Sequence, residues 1–371
     1  MTKDLIPKIR FKGYTEAWEQ RKLKDIGEIL TGSTPSTSQE DYYCSDGILW
    51  VTPTDIDSNI IKTTARKLSI KGEKVARIVP KNTILVTCIA SIGKNALVLE
   101  KSSFNQQINS LTPFDKYNPY FLLTDSVLWS IKMKQQGAAG MMQIVNKNEF
   151  SEIETNIPSE EEQNKIGELY KQIDNLITLH QRKYDKLVEL KKSLLEKKFP
   201  KNNLLYPETR FNGFTEAWEQ RKLDEISNRF DNLRIPVAAN VREKETIPNY
   251  GANGIQDYVK GFTHNGEFVL IAEDGANDLK NYPVKYVNGL FWANNHVHVI
   301  QGKKEICDNK YLKYCFSKTN IEALLVGGGR AKLNANIMMG IDLKLCQFDE
   351  QSKIGELFYE IDNLITLHQQ K

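Results

Sequence analysis

The chain has 371 residues, 40% of them hydrophobic and 26% charged, and its 50 Lys plus Arg against 47 Asp plus Glu leave a formal net charge of +3. That composition excludes a disordered or collagen-like polypeptide and is enough for two or three folded domains. It excludes DNA binding through a polybasic tail but not through a local basic surface, and no run of about 18 apolar residues marks a membrane helix.

The opening stretch, MTKDLIPKIRFKGYTEAWEQ, lacks the apolar core of a signal peptide, so a cytoplasmic location is expected. Strand-like runs follow at GILWVTP (47–53), NTILVTC (82–88) and NALVLE (95–100), then a helical period over 120–133 and a loop over 135–147. Ser159 with Glu162 forms a capping-box pattern, and Glu160 and Glu161 add acid at the positive helix end. The spacing predicts a helix over 159–199, about 60 Å long at roughly 1.5 Å per residue, stopped by Pro200. Its heptad places Ile166, Ile173, His180, Leu187 and Leu194 at a, with Leu169, Leu176, Lys183 and Leu190 at d.

A second start follows at 210–223. Strand-like runs come next at EFVLIAEDG (267–275), KYVNGLFW (285–292) and NHVHVIQ (295–301), then a helical stretch over 310–325 and the loop GGGRAKLNANI (327–337). The chain closes on a second apolar seam, Ile354, Leu357, Ile361, Leu364 and His368. The fold class is α+β, two mixed α/β segments joined by long helices.

An internal repeat organises the whole chain. RFKGYTEAWEQRKL (10–23) returns as RFNGFTEAWEQRKL (210–223), identical at twelve of fourteen positions. QNKIGELYKQIDNLITLHQRK (163–183) returns as QSKIGELFYEIDNLITLHQQK (351–371), identical at sixteen of twenty-one. The segments between, about 27–158 and 229–347, diverge. Uniform drift after a duplication would not leave the frame nearly constant while the inserts part company. The two seams are expected to pack antiparallel, with His180 and His368 as a polar pair that sets register. The first helix continues past its repeat into a basic stretch that includes Lys191, Lys192, Lys197 and Lys198.

The paired loops carry the chemistry. Gly327 to Gly329 allow close backbone approach, and Arg330, Lys332, Asn334 and Asn336 supply donors of the kind that read base edges or hold phosphate. The first copy offers Gln135, Gln136, Gln143, Asn146 and Lys147 at the same place. The five cysteines form no C-x-x-C pair and are expected to be small core residues. His296 and His298 would share one strand face, with no carboxylate at a matching spacing, so polar pairing is expected and no metal. Glu273-Asp274 reads as a strand-end turn. There is no phosphate loop, dinucleotide fingerprint or nucleophile elbow. Asn118-Pro119-Tyr120 matches only part of an amino-methyltransferase motif and reads as a turn. No catalytic residue is therefore expected.

The doubled RF-x-G-[YF]-TEAWEQRKL start, the doubled helix, and phrases such as ILWVTPTDI (48–56), ASIGKNALV (90–98), IPNYGANGIQDYV (247–259) and LIAEDG (270–275) resemble the specificity subunits of type I restriction-modification systems over nearly the whole chain. The resemblance implies two target recognition domains separated by long antiparallel coiled-coil helices in a pseudo-twofold repeat. The domain boundaries read as 1–158 and 206–347 for the recognition domains, with spacer helices at 159–205 and 348–371, the second one short for the family. Each recognition domain would read half of an asymmetric, split site in double-stranded DNA. The expected DNA-binding residues are Ser91, Lys94, Gln106, Gln135, Gln136, Gln143, Lys147, Tyr250, Asn253, Arg330, Lys332 and Asn334. The helices would set the spacer and dock two methyltransferase subunits, and restriction subunits would join them. S-adenosylmethionine, ATP and Mg would belong to those partners. Other readings of the same residues are a coiled-coil scaffold without a DNA role, or a DNA-modifying enzyme with degenerate motifs.

Overall fold

The computed structural model describes residues 6–137, 144–201, 204–236, 244–327 and 331–369. They form two compact units, residues 1–178 and 179–371, so the boundary falls inside the long helix Glu160–Lys198. No helix of the described residues is long and apolar enough to cross a membrane.

Each unit is built on the same frame, and the repeated sequence blocks are the pieces that meet. In the first unit the strand Glu19–Lys22 pairs antiparallel with Glu154–Ile157, the last strand before the long helix. The second unit pairs Glu219–Lys222 with Asp342–Leu345 in the same way. One helical turn follows each start, and its Leu23 and Ile26, or Leu223 and Ile226, are fully buried. The arginine that opens each start closes the frame. Arg10 donates from Nε and Nη2 to the Glu162 carboxylate, both at 2.7 Å. Arg210 donates to Glu350 at 2.9 and 2.5 Å. Both glutamates are wholly buried, so each ion pair is a fixed joint with bidentate geometry. This alters the expected capping box: the Ser159 hydroxyl does accept from the Glu162 N–H, but the Glu162 carboxylate serves Arg10.

A helix N-terminus crosses each repeat helix at a glycine. A Cβ on Gly167 would lie 2.4 Å from Asn118 Oδ1, and one on Gly355 would lie 2.7 Å from the Tyr311 nitrogen. Asn118 and Asp308 cap the helices that begin there, Pro119–Gly137 and Asn309–Phe316. Asn118-Pro119-Tyr120 is therefore a helix start rather than a turn. Cysteine placement follows the expectation for Cys88, Cys307, Cys315 and Cys346, which are buried, and departs from it at Cys44, which is exposed.

The inserts differ. The first carries two five-stranded sheets, one of them with the central strands Ile108–Pro113 and Thr83–Thr87. The second carries one six-stranded sheet, in which Val297–Gly302, His264–Ala272 and Val284–Ala293 are neighbours. Its hairpin Lys244–Gly251 with Gly254–Val259 lies in sequence that carries no strand pattern. The helix expected over 310–325 ends at Phe316, followed by a short 3-10 turn at Glu322–Leu324.

In the second unit the distal part of the long helix packs antiparallel on Phe348–Gln369. Lys191 pairs with Asp362 at 2.6 Å, and His180 Nδ1 meets His368 Nδ1 at 2.9 Å. The buried stripe of the second helix is Ile354, Phe358 and Ile361, with Ile365 and Leu357 partly buried beside it. Leu364, read as a seam position, is exposed, and Phe358 takes the centre. Leu194 packs on this core, Leu187 is half-buried, and Leu190 is exposed. In the first unit Ile166 is partly buried, whereas Leu169, Ile173 and Leu176 are exposed.

Candidate nucleic-acid interface

The two loops singled out by their composition are attached to the two different sheets at equivalent points. In the first unit Asn109 lies opposite Val86 in the strand pair, and in the second His298 lies opposite Ile271. Two residues past each of those partners, the chain accepts the returning loop. The Val145 N–H donates to the Cys88 carbonyl at 2.9 Å, and the Leu333 N–H donates to the Glu273 carbonyl at 2.7 Å. The loop's own carbonyl is then held from the neighbouring strand. Asn109 Nδ2 donates to Val145 O at 3.4 Å, and His298 Nε2 donates to Leu333 O at 2.9 Å. A third group orients each anchor: Thr31 donates to Asn109 Oδ1 at 2.7 Å, and His298 Nδ1 lies 2.7 Å from the Asp231 carboxylate. Asn146 and Asn334 then stand at the N-caps of the short helices Lys147–Ser151 and Ala335–Met339.

The anchors differ in charge. The first unit uses neutral Thr31, Asn109 and a cysteine backbone. The second surrounds its anchor with Asp231, Arg234, Glu273 and Lys332. Arg234 Nη1 donates to Glu273 at 2.5 Å, and Lys332 Nζ donates to the other Glu273 oxygen at 2.7 Å. Burial pushes the Glu273 carboxyl up, but hydrogen bonds from Lys332 and Arg234 outweigh it and hold the group below its ordinary value. Asp231 is likewise held low, because His298, the Val299 N–H and Arg234 outweigh its burial. Asp231, Glu273 and His298 bring three ligand-type atoms within 4.8 Å of one another. The carboxylates that local spacing lacked are thus supplied by the fold. Two cations already neutralise them, and both His298 nitrogens are engaged, so the cluster works as an ion-paired anchor. His296 pairs with Asp274 at 2.6 Å. Asp231 and Arg234 are outside every sequence motif, and only their contacts reveal them.

Around these anchors the expected DNA-binding residues fall into three sets. Ser91, Lys94, Gln106 and Lys147 are exposed beside the first loop's base, near the Ile89 to Ile144 bridge and the Cys88 N–H bond to Gln107 O. Asn253, Lys332 and Asn334 are exposed beside the second, where Asn253 Nδ2 donates to Gly275 O at 2.9 Å and Lys332 bridges to Asp274 and Val326. Gln135 is exposed near the end of the Pro119–Gly137 helix, which also contains Gln136. Tyr250 is only half-buried but turns to the core, edge-on to Phe291 with ring centroids 5.9 Å apart. Gln143 and Arg330 lie outside the described residues.

Two copies of one frame, each with a returning segment tied to its own sheet, define a duplicated two-unit fold. A family model described as "Type I restriction modification DNA specificity domain" matches residues 15–189 and again 215–371, and the chain belongs to that family. A protein of Haemophilus influenzae named as a type I restriction enzyme specificity subunit, S.HindORF215P, is 43% identical over 157 residues, 42% of this chain and 40% of that one. The type I restriction enzyme MjaIX specificity subunit of Methanocaldococcus jannaschii is 28% identical over 333 residues, 80% of this chain and 75% of its own length. The fold is similar to the crystal structure of a type I restriction-modification S subunit from M. genitalium, with a TM-score of 0.72 at 15% identity, over 98% of this chain and 94% of that one.

Proposed function

We propose that the chain is the non-catalytic sequence-specificity subunit of a type I restriction-modification complex. Each unit's insert reads one half of a bipartite, asymmetric site in double-stranded DNA. The observation that carries this reading is the equivalent anchoring of a polar loop on two different sheets. An anchored base holds donor side chains at fixed positions, which direct readout of base edges requires. The inserts are close to neutral: 13 basic against 12 acidic residues over 30–158, and 15 against 12 over 229–346. Such surfaces favour reading by placed amide and guanidinium groups, with much of the sequence-independent phosphate grip left to partners. On this reading the long helices set the spacer and dock two methyltransferase subunits, to which restriction subunits add. S-adenosylmethionine, ATP and Mg belong to those partners, and the complex acts on DNA in the cytoplasm.

The test is selection from randomised DNA duplexes by the chain in complex with its methyltransferase partner. The expected product is a split motif, two short specified segments around an unread gap. Enrichment of one contiguous site, or of none, would count against the reading, and methyl transfer by the chain alone would assign it catalysis.

A further inference from the structure

The hairpin Lys244–Gly251 with Gly254–Val259 has one residue too many in its second strand. Asn249 lies opposite Asp257 and Tyr250 lies opposite Ile255, so Gln256 is the extra residue of a bulge. A bulge bends its strand and re-aims the side chain it carries. Here the Gln256 side chain lies across Gly251, where a Cβ would be 2.1 Å from Nε2. Gly251 has no left-handed backbone, so the overlying amide is what requires glycine there. The amide ends on Asn294, whose Nδ2 donates to Gln256 Oε1 at 3.1 Å. Asn294 is buried and fixed on both sides. Its backbone N–H donates to Tyr250 O at 3.1 Å, and its Oδ1 accepts the His296 N–H at 2.7 Å. Since Oδ1 must face that backbone donor, Nδ2 is the end left for Gln256. His296 in turn pairs with Asp274, which bridges to Lys332, so this run of contacts ties Gln256 to the base of the second loop. Gln256 itself is exposed, and among the described residues no group accepts from its Nε2.

We propose that Gln256 is a specificity-determining residue of the second unit, reading one adenine of its half-site, and that Asn294 is the positioning residue that sets the orientation of its amide. The inference rests on the DNA-reading function proposed above. A solvated glutamine turns its amide freely and gives up that freedom on binding. Gln256 is held before DNA arrives. Asn294 occupies one lone pair of Oε1, which leaves the Nε2 donor and the second Oε1 lone pair side by side for a ligand. Adjacent donor and acceptor complement adenine in the major groove, where N7 accepts and the N6 amino group donates. Guanine offers two acceptors on that edge and would set O6 against Oε1. Gln256 and Asn294 lie outside the two loops that composition singles out, and the bulge that aims Gln256 is visible only in the strand register.

The experiment selects sites from randomised DNA duplexes with the full chain in complex with its methyltransferase partner, for the parent and for variants. Gln256→Ala should lower the preference for adenine about tenfold at one position of one half-site, with the other positions and the other half unchanged. Asn294→Asp keeps the acceptor for the His296 N–H and removes the donor to Gln256 Oε1. It should lower the preference at that same position, and in the Gln256→Ala background it should change nothing further. A purely structural role for Asn294 would instead weaken every position of the half alike, with or without Gln256. An unchanged motif in Gln256→Ala, a changed position that was not adenine in the parent, or a uniform loss of one half would overturn the proposal and leave the two-part reading standing. A parent that selects no split motif would overturn the reading, and the proposal with it.

Discussion

Tyr170 and Phe358 occupy one position of one repeat, and the first is 43% exposed while the second is fully buried. The repeat blocks around them are identical at sixteen of twenty-one positions, and the larger difference is in what the fold places opposite. The second unit supplies Phe199, Leu194 and Leu195. Burial in a repeated helix is therefore a property of the partner stretch, and the helix itself only offers an apolar stripe. The comparison extends outward: the frames agree down to individual hydrogen bonds, and the inserts share only the way a loop is tied to a sheet. A repeated frame with divergent inserts is the arrangement that the proposed two-part reader needs.

The comparison breaks first at Phe199. Phe199→Ala should destabilise the second unit by about 3–5 kcal/mol, the usual cost of emptying a packed aromatic site. Tyr170→Ala should change the first unit by no more than about 0.5 kcal/mol, as for an exposed position. Denaturant unfolding followed by hydrogen exchange in each unit separates the two, and equal losses would remove the asymmetry.

A smaller effect tests the shared joint. Glu350→Ala leaves the Arg210 guanidinium without its partner and should cost about 3 kcal/mol. Glu162→Ala should destabilise the first unit in the same direction. Exchanging Arg210 and Glu350 together for apolar residues should recover part of the loss, measured by the same unfolding curves.

The smallest effect is the histidine-dependent part of the second unit's response to pH. All five histidines lie in residues 179–371. His264 is buried, stacked on Phe291 with centroids 5.0 Å apart, and faces Phe230 O and Thr263, with Asp231 and Arg234 nearby. Burial lowers its pKa below the ordinary histidine value, partly offset by the bond to Phe230 O. Because the folded value is depressed, the neutral ring contributes stability that is complete above the unfolded pKa, about 6.5. The contribution is lost as pH falls toward the folded value. Thermal unfolding of the second unit should therefore weaken below about pH 6.5, and His264→Phe should flatten that part of the curve. A slope unchanged in the variant would assign it to other groups.

Much of the frame was legible in the sequence, because a repeat reports shared structure without naming a contact. The Ser159 start and Pro200 stop bracket the observed helix Glu160–Lys198 closely. The Arg10 to Glu162 joint was not legible, since the partners are 152 residues apart and Glu162 also satisfies a local capping pattern. The seam was read one position off at Leu357, because Phe358 follows the straight-helix stripe of Ile354, Ile361 and Ile365 and not the heptad. The hairpin at Lys244–Val259 carries Pro248 and Gly251, residues that argue against a strand in isolation. Of the candidate site, composition pointed to the two loops and to donors that the structure leaves exposed, such as Lys147, Lys332 and Asn334. The anchors Asp231, Arg234 and Glu273 were not, since nothing but the sheet register brings them to His298.

The most direct test of the central claim is an exchange of inserts. Residues 27–153, between the two frame strands, would be replaced by the corresponding segment of another family member, and the methylated sites mapped in cells that also carry the methyltransferase subunit. The account predicts a split site in which one half changes and the other half and the gap stay as they were. A change in both halves, or in neither, would contradict it.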